Sequence, residues 1–434
     1  MTSPRQAFER RFAEYVRKLI AVIGHMDRHA PLRSYLTGLT LPGDRKSVEP
    51  MAARVEPHRA GACQQSMHHF VANAGWDDAA VIRVARNQVI DAMERHGPIA
   101  AWIVDDTSFP KKGHHSVGVT RQYCGALGKQ ENCQVAVSIS LANEAVSVPA
   151  GFRLYLPEVW IKDRERRRET GVPPLLGFRP KGEIALGLID GLLDDELPVA
   201  PVVADAGYGV STRFREELTQ RKVPYVLGIT GETTVWPPGQ GPLRPRRTRG
   251  PGRPQTRLQC PRGRRPVSVK TLAASLPRSA WETVTWREGS RGTMRSRFAW
   301  LRVRPAHRDE KRSTLRPVEW LLVERPPDER GPTKFWLSTL PQKTPARELV
   351  WLAMIRWRIE RDYQELKDEI GLDHFEGRGW RGFHHHASLC IATYAFLAAE
   401  RARLSPPEAL SFLEVPPLPK DFRPRGSPGP SGTT

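Results

Sequence analysis

Cysteines, long apolar runs and acidic residues are all scarce in this sequence. The five cysteines (Cys63, Cys124, Cys133, Cys260 and Cys390) stand far apart and none forms a C-x-x-C pair. That leaves neither a zinc knuckle nor a disulfide framework, and it predicts reduced, mostly buried thiols. No apolar run approaches the roughly 20 residues that a bilayer-spanning helix needs. The opening MTSPRQAFERRFAEYV reads as an amphipathic helix rather than a secretory leader. A cytoplasmic protein with no membrane partner is therefore expected. Aspartate and glutamate number 47 against 67 lysines and arginines, a formal charge of +20. An imbalance of that size points to an extended polyanion, nucleic acid first. A compositional bias toward alanine, arginine, glycine and proline is the rival account of the charge.

The 434 residues, 39% of them hydrophobic, suffice for one large core or two to three smaller ones. In residues 4 to 31 the apolar positions Phe8, Phe12, Val16, Leu19, Ile20 and Ile23 recur at helical spacing, and Pro31 marks an end. A second helical region covers 47 to 95. Residues 1–97 therefore read as a helical N-terminal domain, either structural or DNA-gripping. From 99 the pattern turns to strands, at 99 to 105, 132 to 140 and about 146 to 156. A helix near 182 to 194, a strand at 201 to 205, a helix at 211 to 221 and a strand at 223 to 229 follow. This order predicts a mixed α/β (α+β) core over 98–230.

Beyond Thr230 the composition shifts. From Arg244 to Lys270 there are ten Arg or Lys residues and no acidic one, so this stretch, which includes Arg246, Arg247 and Arg249, reads as an exposed basic loop. Short aromatic-rich strands come next, with Trp286, Trp300, Trp320 and Trp336 as core residues of a small sheet. Residues 231–340 are thus expected to be a β-rich insertion. Helices return over 341–404: one long helix from 346 to 370, ended by Gly371, and another at about 383 to 403. Residues 405–434, rich in proline, read as a flexible tail.

Three acidic points stand out. Asp105 and Asp106 end the apolar run AWIV, Asp205 ends PVVAD, and Glu360 lies on the long helix with Arg356 and Lys367 near the same face. Strand alternation puts only one of Asp105 and Asp106 on a given face. Two strand-end carboxylates and one on a helix would make a hard-oxygen site for Mg²⁺ or Mn²⁺, suited to phosphodiester chemistry. Each also has a bland account, as a turn cap or a surface charge. His114-His115 and His384-His385-His386 complete no familiar ligand spacing, and they read as DNA-facing or packed.

The stretch IVDDTSFPKKGHHSVGVTRQYCGALGKQENCQVAVSIS resembles the first catalytic region of bacterial insertion-sequence transposases of the DDE superfamily, whose core is ribonuclease-H-like. VVADAGYG resembles the second region. The helix resembles the third, a tyrosine, arginine, glutamate, lysine signature, with Ala353 at the tyrosine position. The likeness spans about residues 30 to 400. It implies catalytic, metal-holding residues Asp105 (Asp106 as fallback), Asp205 and Glu360, with two Mg²⁺ or Mn²⁺ ions per site. It also implies Arg356 and Lys367 beside the scissile phosphate and Lys111 and Lys112 on DNA, while Arg246, Arg247 and Arg249 would add non-specific affinity. The partners implied are double-stranded DNA, both terminal inverted repeats and target, and further copies of the chain in a homodimer or higher oligomer. Trp236, in the loop TTVWPPG, is a candidate for stacking on a displaced base. A nuclease that does not join DNA and a catalytically idle DNA-binding descendant are the alternatives.

Overall fold

A computed structural model describes residues 3–245, 255–289 and 292–404. They fall into two compact units, one of residues 1–95, 168–172 and 364 onward, the other of 96–167 and 173–363. Among the described residues no helix is long and apolar enough to cross a membrane. The tail expected over 405–434 lies outside the described residues.

The first unit opens with helices α1 (Pro4–Ile23), α2 (His29–Thr40), α3 (Val48–Val55), α4 (Ala60–Ala72) and α5 (Asp78–Glu94). Ser3 caps α1 with a capping box, its hydroxyl accepting from the Gln6 N–H while the Gln6 side chain accepts from the Ser3 N–H. The apolar stripe read from the sequence is the face that packs. Phe8, Phe12 and Tyr15 surround the Phe396 ring, and the Tyr15 hydroxyl donates to the Ala392 carbonyl at 2.8 Å. All three histidines of the 384–386 run are buried. His385 stacks on Trp76 at 3.5 Å, and burial lowers its pKa to about 4.

The second unit is built on a sheet. Its strands and helices begin with β1 (Ala101–Pro110), β2 (Thr120–Cys124), β3 (Lys129–Ala142), β4 (Ser147–Leu154), α6 (Glu158–Lys162) and α7 (Arg164–Glu169), the last of which is divided between the units at Arg167. Then come α8 (Lys181–Asp194), β5 (Val202–Ala204), α9 (Ala206–Gly209), α10 (Thr212–Gln220) and β6 (Tyr225–Ile229). Strands β4, β3 and β1 are antiparallel neighbours, and β1, β5 and β6 run parallel. A helical region followed by this mixed sheet is the ribonuclease-H-like α/β architecture that the resemblance implies.

Residues beyond β6 supply β7 (Thr234–Trp236), β8 (Val267–Ser268), α11 (Val269–Ala274), β9 (Glu282–Gly289), β10 (Gly292–Pro305), β11 (Glu319–Arg325) and β12 (Lys334–Ser338). They do not build a small sheet of their own. β12 pairs antiparallel with β6, and β11, β10, β7 and β8 follow it outward, so the core sheet simply continues. The physical reason is that β6 otherwise presents an unpaired edge. Trp336 is buried in the core beneath the sheet, and Trp286, Trp300 and Trp320 pack against it half-buried.

The chain ends in α12 (Ala346–Met354), α13 (Trp357–Asp368) and α14 (Trp380–Leu404); α13 passes from the second unit into the first after Tyr363. The single helix expected over 346 to 370 is thus two. At the joint, Arg358 and Ile359 donate to the carbonyls three residues back, Ile355 and Arg356, so the ladder tightens for a turn and the axis breaks. The strand expected at 99 to 105 also runs further, to Pro110, because β3 pairs with it along that whole length.

One close approach fixes the start of α9. A Cβ at Gly209 would run into the Gly228 carbonyl of β6, and one at Gly228 would lie 2.9 Å from the Ala206 nitrogen. Backbone therefore packs directly on backbone, with room for no side chain. Gly209→Ala should lower stability by about 1–3 kcal/mol, the usual cost of overpacking, as read by urea denaturation. An unchanged midpoint would show that α9 is not seated this way.

Candidate active site

The alternation of β1 sorts its two aspartates. Ala101, Ile103 and Asp105 share one face, and Ala101 and Ile103 pack there with Leu352, Ile355 and Ile359 of the α12–α13 pair. Asp106 faces the opposite way, toward α8. Its carboxylate accepts from the Lys181 ammonium at 2.5 Å and from the Tyr208 hydroxyl at 3.3 Å.

Asp105 and Asp205 come from neighbouring parallel strands. Ile103 pairs with Val203, and two residues on, in step, stand Asp105 and Asp205. Asp205 caps α9, its Oδ1 accepting from the Gly207 N–H at 2.9 Å. Asp105 is buried, with Oδ1 accepting from the Asp106 N–H at 2.9 Å and Oδ2 from Arg356 at 2.6 Å. The other terminal nitrogen of Arg356 donates to Glu360 at 2.6 Å. One guanidinium therefore bridges the first and third acidic points. The break at Ile355–Arg356 lies where this arginine turns toward Asp105.

The electrostatics follow from burial. Desolvation pushes the Asp105 carboxyl up to about 7; the Arg356 charge opposes this, and the Asp106 and Asp205 charges add to it. Burial disfavours the Arg356 charge, but Asp105, Glu360 and Asp205 together hold its pKa above the ordinary arginine value. Burial also raises the Tyr208 and Tyr363 phenols well above their usual range, with the nearby aspartates adding to the effect. Both therefore stay protonated. Tyr363 and Ser138 share a hydrogen bond of 2.8 Å, and Ser138 sits directly across from Asp105 on β3.

Other residues picked out in the sequence lie elsewhere. Lys111 and Lys112 follow β1, the first half-buried and the second exposed. Lys367 lies seven residues beyond Glu360 on α13, half-buried, in the first unit. Arg246, Arg247 and Arg249 lie outside the described residues. Trp236 does not stand in an open loop. It forms the end of β7, is fully buried, and donates from its indole nitrogen to Asp309 at 2.7 Å. Ala353 is buried in the core beneath the sheet, so no hydroxyl stands at that position. Lys181, Tyr208, Ser138 and Tyr363 were not singled out from sequence. Only Lys181 carried a signal: a cation in the first turn of a helix opposes the helix dipole and marks an acidic neighbour.

Among the described residues no group of three His, Cys, Asp or Glu side chains is drawn together as a ready metal cage. Arg356 lies between two of the three carboxylates. The donor set still fits a hard cation: it is all carboxylate oxygen, and its most buried member already draws a positive charge to itself.

A family model described as DDE superfamily endonuclease matches residues 18–293, which include Asp105 and Asp205 and stop short of Glu360. The chain belongs to this DDE superfamily. It is also similar to a protein of Microchaete diplosiphon named as the probable transposase for insertion sequence element IS701, with 33% identity over 167 residues. That match covers 38% of this chain and 40% of the relative.

A carboxyl whose folded-state pKa lies above its unfolded value adds stability that is complete below the unfolded value, near 4, and lost as pH rises through about 7. In metal-free buffer the wild type should therefore lose stability between about pH 4 and 7 relative to Asp105→Asn, by at most about 4 kcal/mol. Urea denaturation at several pH values measures it. Parallel curves for the two proteins would contradict the buried, proton-holding state of Asp105.

Proposed function

We propose that the protein is the transposase of a bacterial insertion sequence. In this reading it binds the terminal inverted repeats of its own element, cuts at the ends, and joins the freed 3′ hydroxyls to target DNA. The observation that carries the reading is the alignment of Asp105 with Asp205 on neighbouring parallel strands, with Arg356 tying Asp105 to Glu360.

Asp105, Asp205 and Glu360 would hold Mg²⁺ or Mn²⁺. When bound, such ions would supply Lewis-acid activation of the nucleophile and of the leaving group at a phosphodiester. Asp105 has to give up its proton to serve as a ligand, and burial then makes its charge an unusually strong attractor for a cation. Arg356 has a planar fork that satisfies a phosphate as well as a carboxylate, so it can exchange Asp105 for the phosphate beside the scissile bond. The family resemblance assigns a similar phosphate contact to Lys367. Lys111 and Lys112 take backbone phosphates from the first loop, and Arg246, Arg247 and Arg249 add affinity that is steeply salt-dependent and blind to sequence. Two element ends have to be held at once, which calls for a homodimer or a higher oligomer.

The test is cleavage and joining of labelled DNA ends, taken from the sequence flanking the gene, with Mg²⁺ or Mn²⁺. Wild-type protein should cut and join. Glu360→Gln should bind the same DNA while its rate falls by more than about 100-fold, since even a group supporting a metal ligand costs about 10–100-fold. Binding without cutting by the wild type would favour an idle DNA-binding descendant. Cutting without joining would favour a nuclease, and equal rates for both proteins would remove Glu360 from the site.

A further inference from the structure

We propose that the loop between α7 and α8 is a DNA wedge, in which Leu175 enters between base pairs of the bound duplex and unstacks one step. The inference rests on the transposase reading for its partner, but on different residues. Among the described residues Leu175 is the most exposed large apolar side chain, at 99%, and Phe178 beside it is 42% exposed. Isolated exposed leucines are ordinary, and what distinguishes this one is how firmly its loop is held. One terminal nitrogen of Arg167 donates to the carbonyls of Pro173 at 3.0 Å, Pro174 at 3.1 Å and Leu176 at 2.8 Å. The Leu175 backbone is thus flanked on both sides by fastened carbonyls. Pro173, Pro174 and Pro180 restrict the same segment. An apolar side chain on a fastened loop pays its exposure in every conformation, since it cannot fold back onto the protein.

The surroundings match a polyanion. Arg164 and Arg179 are exposed nearby in sequence, as is Lys162, which pairs with Glu158 at 2.8 Å. Arg166 stacks over Trp160 at 3.9 Å and donates to the His114 carbonyl at 2.7 Å, which ties this region to the loop bearing exposed Lys112. The wedge loop also reaches β1, on the face opposite the candidate ligands. Phe178 packs edge-on against Tyr155, Lys181 lies over the Tyr155 ring at 5.8 Å, and Lys181 binds Asp106. Lys181 lies six positions beyond Leu175, a reach of at most about 22 Å. Cations on backbone phosphates with an apolar side chain between base steps is a combination by which proteins kink duplex DNA.

The experiment uses full-length protein in EDTA, so that no cleavage contributes. The probe is duplex DNA from the gene's flank with 2-aminopurine at successive positions. Wild-type binding should raise fluorescence at one or two adjacent positions, and Leu175→Met should keep that rise. Leu175→Ser should lose it and bind about 10- to 100-fold more weakly, the affinity equivalent of leaving one leucine unburied. An equal rise with Leu175→Ser, or no rise at any position while DNA is bound, would overturn the wedge and leave the transposase reading intact. If Leu175→Ser instead changes the self-association of DNA-free protein in light scattering without altering the fluorescence, the leucine contacts another copy and the wedge is wrong. Failure of the wild type to bind the DNA would sink both readings together.

Discussion

A carboxylate buried beside the centre of a sheet is the constraint on which the rest of the second unit turns. Asp105 cannot leave its place, because β1 is paired on both sides, with β3 along its whole length and with β5 beside it. An isolated ionised carboxylate at that depth is costly, and it must either keep its proton or find a partner. The structure supplies both answers. The proton is held to about pH 7, and Arg356 stands at hydrogen-bond distance. The arginine also answers to Glu360, so a single guanidinium fixes where α13 begins and how its first turn faces the sheet. A divalent cation would meet the same electrostatic demand more compactly, which is why a metal-holding role fits a site now spanned by arginine.

The opposite face shows what the second aspartate does. Asp106 pairs with Lys181 and takes the Tyr208 hydroxyl, and Tyr208 belongs to the short helix that Asp205 caps. The face that carries no candidate ligand thus braces the element that carries one. The backbone contact of Gly209 with Gly228 does the same from the β6 side, and the Arg215 guanidinium adds a bond to the Gly209 carbonyl. Among the described residues Asp205 is held by what surrounds α9 rather than by any hydrogen-bond partner of its own side chain beyond the cap.

Much of this was legible because it follows from short-range rules. The helical stripe from Phe8 to Ile23, the apolar strand leading to Asp105 and the strand-end position of Asp205 come from periodicity, and the structure bears them out. Alternation also anticipated that Asp105 and Asp106 would part. What the sequence did not show is set by distant partners. No local signal says that β1 continues to Pro110, since its length is decided by β3. None breaks the helix at Ile355, where no proline or glycine stands. Trp236 looked like a loop residue among Pro and Gly, yet Asp309, 73 residues on, draws its indole inward. The aromatic strands were recognised as strands, but their sheet was not, because pairing between β6 and β12 is invisible to composition.

That pairing also explains how a long stretch of chain can separate the second and third acidic points without disturbing either. The chain builds the outer strands between β6 and β12, and these two strands are hydrogen-bonded neighbours, Val226 beside Ser338 and Leu227 beside Leu337. Entry and exit are therefore one strand apart however many residues lie between them. Loop-closure entropy grows only logarithmically with length, so the cost of the excursion is nearly fixed once the two strands pair. The α12–α13 pair that carries Glu360 then follows a strand registered through β6 and β5 to β1, and so to Asp105 itself. The sheet ladder, rather than the connecting chain, carries the positional information from one acidic point to the next. A change in the length of the outer strands should thus be tolerated far better than a one-residue slip between β6 and β12, which would turn every side chain of β12 to the wrong face.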